Sequence, residues 1–546
     1  MLEPVQPPAS RAAAAADLPP DLPPDLSPLA PLKRVTFRML WGTWLVANTC
    51  MWMSDVAAAW MMTSMTTTPL WVALVQTSAT LPVFLLGLPS GALADILDRR
   101  RYFIATQFWI AGVATLLCIA VISGLLTPPL LLALTFANGI GLAMRWPVFA
   151  AIVPELVPRP QLPAALALNG IAMNASRIIG PLVAGALIAS LGTQYVFVLN
   201  AVLSVISGFV IMRWRRTHTP NPLGRERLVS AIRVGVQYVA QSSRMRAALA
   251  QVALFFLHST ALLALLPLIA RGLHTGDAGT FTLLLASMGI GAIGAALGMA
   301  RLRQWLPRDS LVMRASLLQS AATVVMSVAP NAWVAALAMA VNGVAWITCA
   351  NALSVSAQLS LPDWVRARGM SMYQMAIMGG SALGAALWGQ IATVTSVPTA
   401  LLLAAASGSV CMFLAQRWVI DNSLEEDLTP SREFKAPVAE QPPGDGHVVV
   451  TIAYEIDPER ADDFKALMQL SRRSRLRQGA LAWELLRDMS KPGHYLEQIV
   501  DDSWTEHLRR FDRVTAGDVA LRERKLAFHI GDEPPVITRC VIDKLD

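Results

Sequence analysis

Residues 99–126 read RRRYFIATQFWIAGVATLLCIAVISGLL, three arginines followed by a long apolar run. A helix needs about 20 mostly apolar residues to cross about 30 Å of hydrocarbon. In lipid its backbone groups must also bond within their own segment. Stretch 102–124 therefore predicts a membrane-spanning helix with its cationic end held at one face. Outward from it the pattern recurs, with spans expected at 37–62, 70–94, 128–153, 163–190, 195–212, 248–270, 279–300, 311–329, 332–357, 370–394 and 398–419. The fold class is thus an all-α membrane bundle of twelve transmembrane helices.

The connections alternate in charge. One set carries Arg99–Arg101, Arg159, the arginines of 213–246, Arg301, Arg303, Arg308, Arg366 and Arg368. The other set, TTTP, SGLLTPP, LGTQ, RGLHTGD, APN and TSVP, carries only Arg271. Positive loops stay on the cytoplasmic side. The alternation therefore places both termini in the cytoplasm and the chain in the inner (plasma) membrane.

Composition agrees. The chain of 546 residues is 54% hydrophobic and 15% charged, against about a quarter charged in a soluble protein. Between Lys33 and Val419 there are 25 Lys/Arg and 8 Asp/Glu. The basic balance belongs to the apolar part, and no soluble basic stripe of the kind that binds nucleic acid is present. The five cysteines lie far apart, without metal or redox spacing. No phosphate loop points to ATP, and no metal or cofactor is expected. Residues 1–32, rich in Pro and Ala, predict a disordered arm and lack a signal peptide's basic start and apolar core.

The two halves repeat. A shift of 204 residues aligns Gly87 with Gly291, Arg99 with Arg303, Asn138-Gly139 with Asn342-Gly343, Pro158 with Pro362, Gly180 with Gly384 and Gly185 with Gly389. Parallel six-helix repeats mark transporters whose halves rock about a midplane site.

Between spans two and three, GALADILDRRR (Gly91, Asp95, Arg99, Arg100, Arg101) resembles the loop signature of the major facilitator superfamily. Gly91 suits close helix contact, and Asp95 can accept bonds from arginine or a helix N-terminus. The arginines suit lipid headgroups or carbonyls at helix ends. The second-half loop has Met299 where Asp95 stands, which predicts a one-sided charge network. In span five, Gly180, Pro181, Ala184 and Gly185 are similar to that superfamily's antiporter motif. The string VPELVPRPQLPAALALNGIAMNASRIIGP (153–181) resembles the enterobactin-exporter-like subfamily, the transmembrane secretion effectors, over roughly 35–420. The resemblance implies proton-driven export of a siderophore, drug or other hydrophobic compound.

Ionisable groups at membrane depth are costly and tend to face a cavity or a partner. At 1.5 Å per residue, Asp55 lies about 27 Å, Arg177 about 21 Å and Arg145 about 12 Å from the Arg-rich side. Asp55 is the expected proton carrier, with Arg177 as its partner. A static ion pair between spans one and five is the structural alternative. Arg145, before Pro147, is a candidate for an anionic substrate group, or for a carbonyl freed by the proline. Asn138, Asn342, Trp52 and His258 are further candidates for the substrate cavity, the asparagines more in keeping with helix bridging. Glu155 is a weaker intramembrane candidate. The Met and Trp cluster of span one, Met51 to Met62, offers an adaptable apolar lining or faces lipid.

After Val419 comes a polar linker. Strand-like VVVTIAYEI, a helix from Pro458 to Gln478, a hairpin through Lys491-Pro492-Gly493, a helix from Ser503 to Phe528 and strand-like VITRCVI follow. The order βαββαβ predicts a ferredoxin-like α+β sandwich. It looks like the antibiotic-biosynthesis-monooxygenase type, which pairs into a dimeric barrel. Trp504, His507 and His529 are its candidate pocket residues. The tail lacks the Asn used by enzymes of that type, which favours binding or dimerisation over catalysis. Expected boundaries are 1–32 (arm), 33–212 (first half), 213–247 (central loop), 248–420 (second half), 421–446 (linker) and 447–546 (tail). Expected partners are lipid, protons, a small hydrophobic or anionic substrate and a second copy of the tail. The rival reading is a membrane-anchored sensor or scaffold whose tail binds a small molecule.

Overall fold

The computed structural model describes residues 27, 29–214, 228–273, 278–305, 307–362, 364–420, 427–431, 433–434, 437 and 446–542. Most of the arm expected over 1–32 lies outside the described residues, as do 215–227 of the central loop and most of the linker. Residues Ala30–Lys33 depart from that expectation. They form a 3-10 turn in which Ala30 and Pro31 are buried, and Pro31 presets a helical φ in its first turn.

Each expected span is a helix. The first six are α1 (Val35–Met65), α2 (Pro69–Ile96), α3 (Arg99–Ile122), α4 (Pro128–Leu156), α5 (Leu162–Ser190) and α6 (Thr193–Met212). After the short α7 (Leu228–Gln241) come α8 (Ser243–Gly272), α9 (Ala278–Trp305), α10 (Arg308–Ser327), α11 (Ala332–Leu359), α12 (Arg366–Val394) and α13 (Val397–Ile420). Local chemistry sets the ends. Proline opens α2 and α4, and the Asp98 and Asn331 side chains cap α3 and α11. Ten helices among the described residues are long and apolar enough to cross a membrane. The other two expected spans, α1 and α10, have 31 and 20 residues. Asp55 and several Thr and Ser make α1 more polar, and Arg308, Asp309 and Arg314 do the same for α10.

The repeat is a repeat of packing. Pairs α1·α5, α2·α4 and α3·α6 recur as α8·α12, α9·α11 and α10·α13. Gly180 of α5 sits on α1, where a Cβ would lie 2.5 Å from Trp52 Cβ and 3.3 Å from Met53 N. Its counterpart Gly384 sits on Leu257 of α8, 2.2 Å from the carbonyl oxygen. Positions 53 and 257 keep the same offset, 204. Only glycine allows such an approach.

The halves meet through α2·α12 and α5·α9. At the Arg-poor end one apolar core spans both halves and includes Trp60, Val72, Phe197, Leu265, Phe281 and Trp388. At the Arg-rich end the core divides. Phe37, Phe103, Phe149 and Val153 form one cluster in the first half. Phe256, Trp346, Leu353 and Tyr373 form another in the second. The buried core is therefore continuous at one end and divided at the other, while the α2·α12 seam runs on to Gly87 and Met375.

The tail comprises β1 (Val448–Glu455), α14 (Ala461–Arg477), β2 (Ala482–Arg487), β3 (His494–Asp501), α15 (Trp504–Phe511), α16 (Ala516–Leu526) and β4 (Val536–Val541). The sheet order is β2-β3-β1-β4, antiparallel throughout. This is the expected ferredoxin-like α+β arrangement. Gly493 turns the hairpin at φ +83°, and Gly479 ends α14 at φ +108°. The helix expected over 503–528 is two helices. Ser503 caps the first, its side chain accepting from the Glu506 N–H. Thr515 then opens a second through a capping box with Asp518, while Thr515 also bridges to Pro430.

Inside the tail, Glu497 is fully buried. It accepts from Trp483 Nε1 at 2.9 Å and Ser471 Oγ at 2.7 Å, and faces Lys525 Nζ at 3.1 Å. Burial pushes its carboxyl up, but Lys525 and Arg475 hold it down to about 2.

The helix α7, inside a segment expected to be loop, is a departure from the sequence reading. Its turn-spaced Val234 and Tyr238, with Gly235 and Val239 beside them, are buried. It carries the tail. Gln237 Nε2 donates to Ala480 O at 3.3 Å, Arg233 Nη2 lies 3.6 Å from Asp502, and Gly479 packs on Val234. Arg513 of the tail lies over Trp364, between α11 and α12. Tyr238 stacks edge-on against Trp364 and donates to Ser360 O.

Candidate functional site

A cavity of about 270 Å³ lies where the halves meet, lined by α1, α2, α5, α8, α9 and α11. Its walls are apolar, with Ile178, Leu263, Leu285, Met288 and Ile293 among them. Four polar side chains interrupt them: Asp55, Gln76, Asn174 and Arg177. At the Arg-poor end the cavity is closed by an aromatic lock. Trp60 of α1 stacks on Phe281 of α9, with centroids 5.3 Å apart, and Arg271 of α8 lies over the same indole at 4.9 Å. Beside it, Gly185 of α5 meets Thr282 of α9. Toward the other end, Leu297 lines the cavity yet is 80% exposed, and Gly294 and Gly298 of α9 face nothing within 4 Å. The cavity thus opens toward the Arg-rich end.

Asp55 and Arg177 share this cavity, as depth along the helices suggested, but they are not an ion pair. Among the described residues Asp55 has no hydrogen-bond or ion-pair partner. The Arg177 guanidinium instead lies between two indoles, 4.4 Å from the Trp346 centroid and 5.2 Å from that of Trp52. Its Nε is buried without a hydrogen-bond partner. Desolvated cation–π contacts of this kind are worth about 2 kcal/mol. They hold the cation in place while leaving the carboxylate open to the cavity.

Of the other residues expected at the cavity, Trp52 lines it, whereas Arg145, Asn138, Asn342 and His258 do not. Arg145 is 1% exposed and turned toward α1, over Trp44 at 5.3 Å, with Nη2 3.5 Å from Asn48 Oδ1. Asn138 is partly buried on α4. Asn342 is wholly buried, and among the described residues neither of its amide atoms has a partner, so it forms no helix bridge to them. His258 lines a separate chamber of the second half. Trp346, Gln76 and Phe281, which the sequence reading did not single out, do line the central cavity.

At the Arg-rich end, Arg100 takes the second of its two expected roles. It donates to the carbonyls of Met212, at 2.7 Å, and Trp214, closing the end of α6. Arg99 pairs with Glu155 at 2.6 Å, so Glu155 belongs to this end rather than to the membrane interior. Arg101 donates its backbone N–H to Asp98. The Asp95 side chain lies outside what is described. Gly91 makes no close contact, since a Cβ there would meet nothing within 4 Å, whereas Gly87, one turn earlier, lies against Met375. In the antiporter-like motif, Gly185 approaches the other half at Thr282, while Gly180 approaches α1 of its own half. Pro181 lines the cavity.

In the tail, Trp504 and His507 are neighbours, with ring centroids 5.3 Å apart. His507 is 1% exposed and held by Asp501 at 2.7 Å. His529 is elsewhere. It receives the N–H of Glu455 at the opposite end of β1, whereas Asp501 pairs with Val448 at the start of that strand. The three do not form one pocket.

Two six-helix halves around a central apolar cavity are the architecture of a major facilitator transporter, a multi-pass membrane protein. The transmembrane secretion effector family model matches residues 26–545, and the chain belongs to that family. The staphyloferrin A transporter of Staphylococcus aureus (strain NCTC 8325 / PS 47) is 21% identical over 268 residues, 49% of this chain and 67% of that one. The uncharacterized MFS-type transporter YfiS of Bacillus subtilis (strain 168) is 28% identical over 177 residues, 31% of this chain; the chain spans 41% of that relative's length. Among solved structures, the nucleoside transporter NupG aligns with TM-score 0.58 at 13% identity, covering 70% of this chain and 99% of its own. A bacterial homologue of the lysosomal transporter Spinster aligns with TM-score 0.57 at 12% identity, covering 71% and 96%. At those identities the likeness is one of fold.

Proposed function

We propose that the chain is a proton-coupled secondary exporter of a hydrophobic small molecule, working by alternating access from the inner membrane. The observation that carries this reading is the pairing of an unpartnered carboxylate, Asp55, with an aromatic-clamped cation, Arg177, in one cavity open at the Arg-rich end. The loop charge bias puts that end in the cytoplasm, so the conformer is one that loads substrate from inside. Its volume of about 270 Å³ is close to the lower limit for small-molecule sites. Apolar walls select a hydrophobic body, and Arg177 with its two indoles suits an anionic or aromatic head. Family membership and the staphyloferrin A transporter among its relatives support siderophores as the substrate class.

In this reading Asp55 takes up the proton that exchanges for substrate. Its carboxylate is costly at this depth when charged, so protonation and substrate binding compete for the same cavity. The outer faces of β1, β3 and β4, with Val449, Leu496, Val500 and Val536, are open for a second tail, which supports a homodimer through this sheet.

The test uses the full chain in proteoliposomes with an imposed pH gradient. Asp55→Asn is expected to abolish uphill, pH-driven movement while sparing downhill exchange. Unaltered pH-driven accumulation by that variant, at equal protein content, removes Asp55 from the mechanism.

A further inference from the structure

The second half contains a polar chamber that the central cavity does not include. It has a volume of about 20 Å³ and lies between α8, α10 and α13. His258, Ser259, Ser316, Gln319, Ser320 and Thr323 all line it. Gln319 is 5% exposed, and among the described residues neither its amide nitrogen nor its amide oxygen has a partner. The Ser259 hydroxyl, on a residue equally buried, is also unpartnered. A polar group left without a partner in an apolar interior costs several kcal/mol, and three such atoms converge here.

The internal repeat shows how the chamber arises. At the matching place in the first half, Asn200 Nδ2 donates to Ser54 Oγ at 2.6 Å, Ser204 Oγ donates to Asn200 Oδ1 at 3.2 Å, and Gln107 Nε2 donates to Ser204 O at 3.2 Å. That chain of side chains fills the space between α1, α3 and α6. Adding 204 turns Ser54, Asn200 and Ser204 into His258, Ala404 and Gly408. The second half therefore lacks the two side chains that complete the polar chain. Leu311 stands at the position of Gln107, and Gln319, two turns further along α10, has no partner among the described residues.

We propose that this chamber is a hydration site, in which bound water supplies the hydrogen bonds that Asn200 and Ser204 supply in the first half. The volume suits one water, which needs about 10–15 Å³ of such space and two to four polar partners. The chemistry selects water over a bare cation. Gln319 presents an N–H donor, for which a cation has no use, as well as an acceptor. The Ser316 and Thr323 hydroxyls donate to Val312 O and Gln319 O and so keep lone pairs to which a water can donate. No residue lining the chamber carries a carboxylate to balance a cation. The site also hydrates a histidine inside the membrane. His258 Nδ1 donates to Leu254 O at 2.8 Å, so in the neutral ring the lone pair falls on Nε2. An imidazole served by water exchanges protons, whereas one packed dry does not.

Met412 lines the chamber although it is only 3% exposed, which makes it a reporter. Radiolytic hydroxyl labelling of the full chain in nanodiscs, read by mass spectrometry, is expected to oxidise Met412 several-fold more than Met339, which is fully buried in dry core. Ala404→Asn, which rebuilds the first-half pattern, is expected to lower Met412 labelling to the Met339 level. Gln319→Leu, which keeps the shape but removes the anchor, is expected to do the same if the first variant fails to fold. Wild-type Met412 labelling no higher than that of Met339 overturns the proposal. So does a rise in thermal midpoint specific to sodium over choline that Gln319→Leu abolishes, since the guest would then be a cation.

Discussion

Gly185→Ala tests whether closure of the Arg-poor end is what the α5·α9 contact provides. A Cβ at Gly185 would lie 2.0 Å from Thr282 Oγ1, 2.3 Å from Cγ2 and 2.6 Å from Cβ. The threonine has little freedom to yield, because its hydroxyl donates to Ala278 O at 2.8 Å and even its Cβ is too near. The helices must separate by about 1 Å, and overpacking of this kind costs roughly 1–3 kcal/mol. A cost of about 2 kcal/mol changes a two-state ratio about 30-fold. Since the penalty falls only where α5 and α9 touch, it destabilises the conformer closed at that end. A cysteine placed at Ala296 should then react less with an impermeant maleimide added at the Arg-rich side, and export should slow. Thr282→Gly in the same chain removes the clash and should restore both. Gly112→Ala, where a Cβ meets nothing within 4 Å, is the matched control. Unchanged labelling in Gly185→Ala with normal insertion would refute the assignment of this contact to closure.

Three further outcomes follow from the geometry. The folded Glu497 carboxyl lies at about 2, below its ordinary 4.5, so its stabilisation is complete at neutral pH. That stabilisation, worth about 3 kcal/mol, is lost as pH falls from about 4.5 toward 2. Hydrogen exchange across β3 should rise in that window, and Glu497→Gln should raise exchange already at pH 7. Arg177→Lys keeps the charge but not the planar stacking on Trp346 and Trp52. It should raise the KM for an anionic or aromatic substrate about tenfold, the equivalent of about 1.4 kcal/mol, and an unaltered KM speaks against Arg177 as a substrate contact. Val234→Asp puts a charge against Gly479 at the α7–tail contact. It should expose residues 474–480 to exchange while leaving the β-sheet protected, and protection at 474–480 equal to wild type contradicts the docking described.

The bundle was legible because lipid imposes so simple a rule. Apolar runs of one length, punctuated by arginine on alternate sides, allow little besides helices, and the 204-residue offset exposes their pairing. What could not be read was facing. A helix apolar all round offers no amphipathic stripe, so nothing in the sequence turns Trp346 and Phe281 inward or Arg145, Asn138 and His258 away from the cavity. Asp55 and Arg177 were findable because charge at depth is rare, but the engagement of Arg177 by two indoles in place of Asp55 depends on tertiary packing. The helix α7 was hidden because a polar, arginine-rich context masked its buried positions 234, 235, 238 and 239. In the tail, the break between α15 and α16 carries a local signature, the capping box of Thr515 and Asp518, which the long helical pattern around it concealed.

Because α7 and Trp364 fasten the tail to elements of the second half, a partner that seized the tail would bear on that half, and through the α2·α7 contact on the first half as well. In a dimer held through the sheets, two second halves would stand as a common anvil. The first halves would swing against it like paired hammers, and the work of each cycle would fall on the α2·α12 and α5·α9 seams.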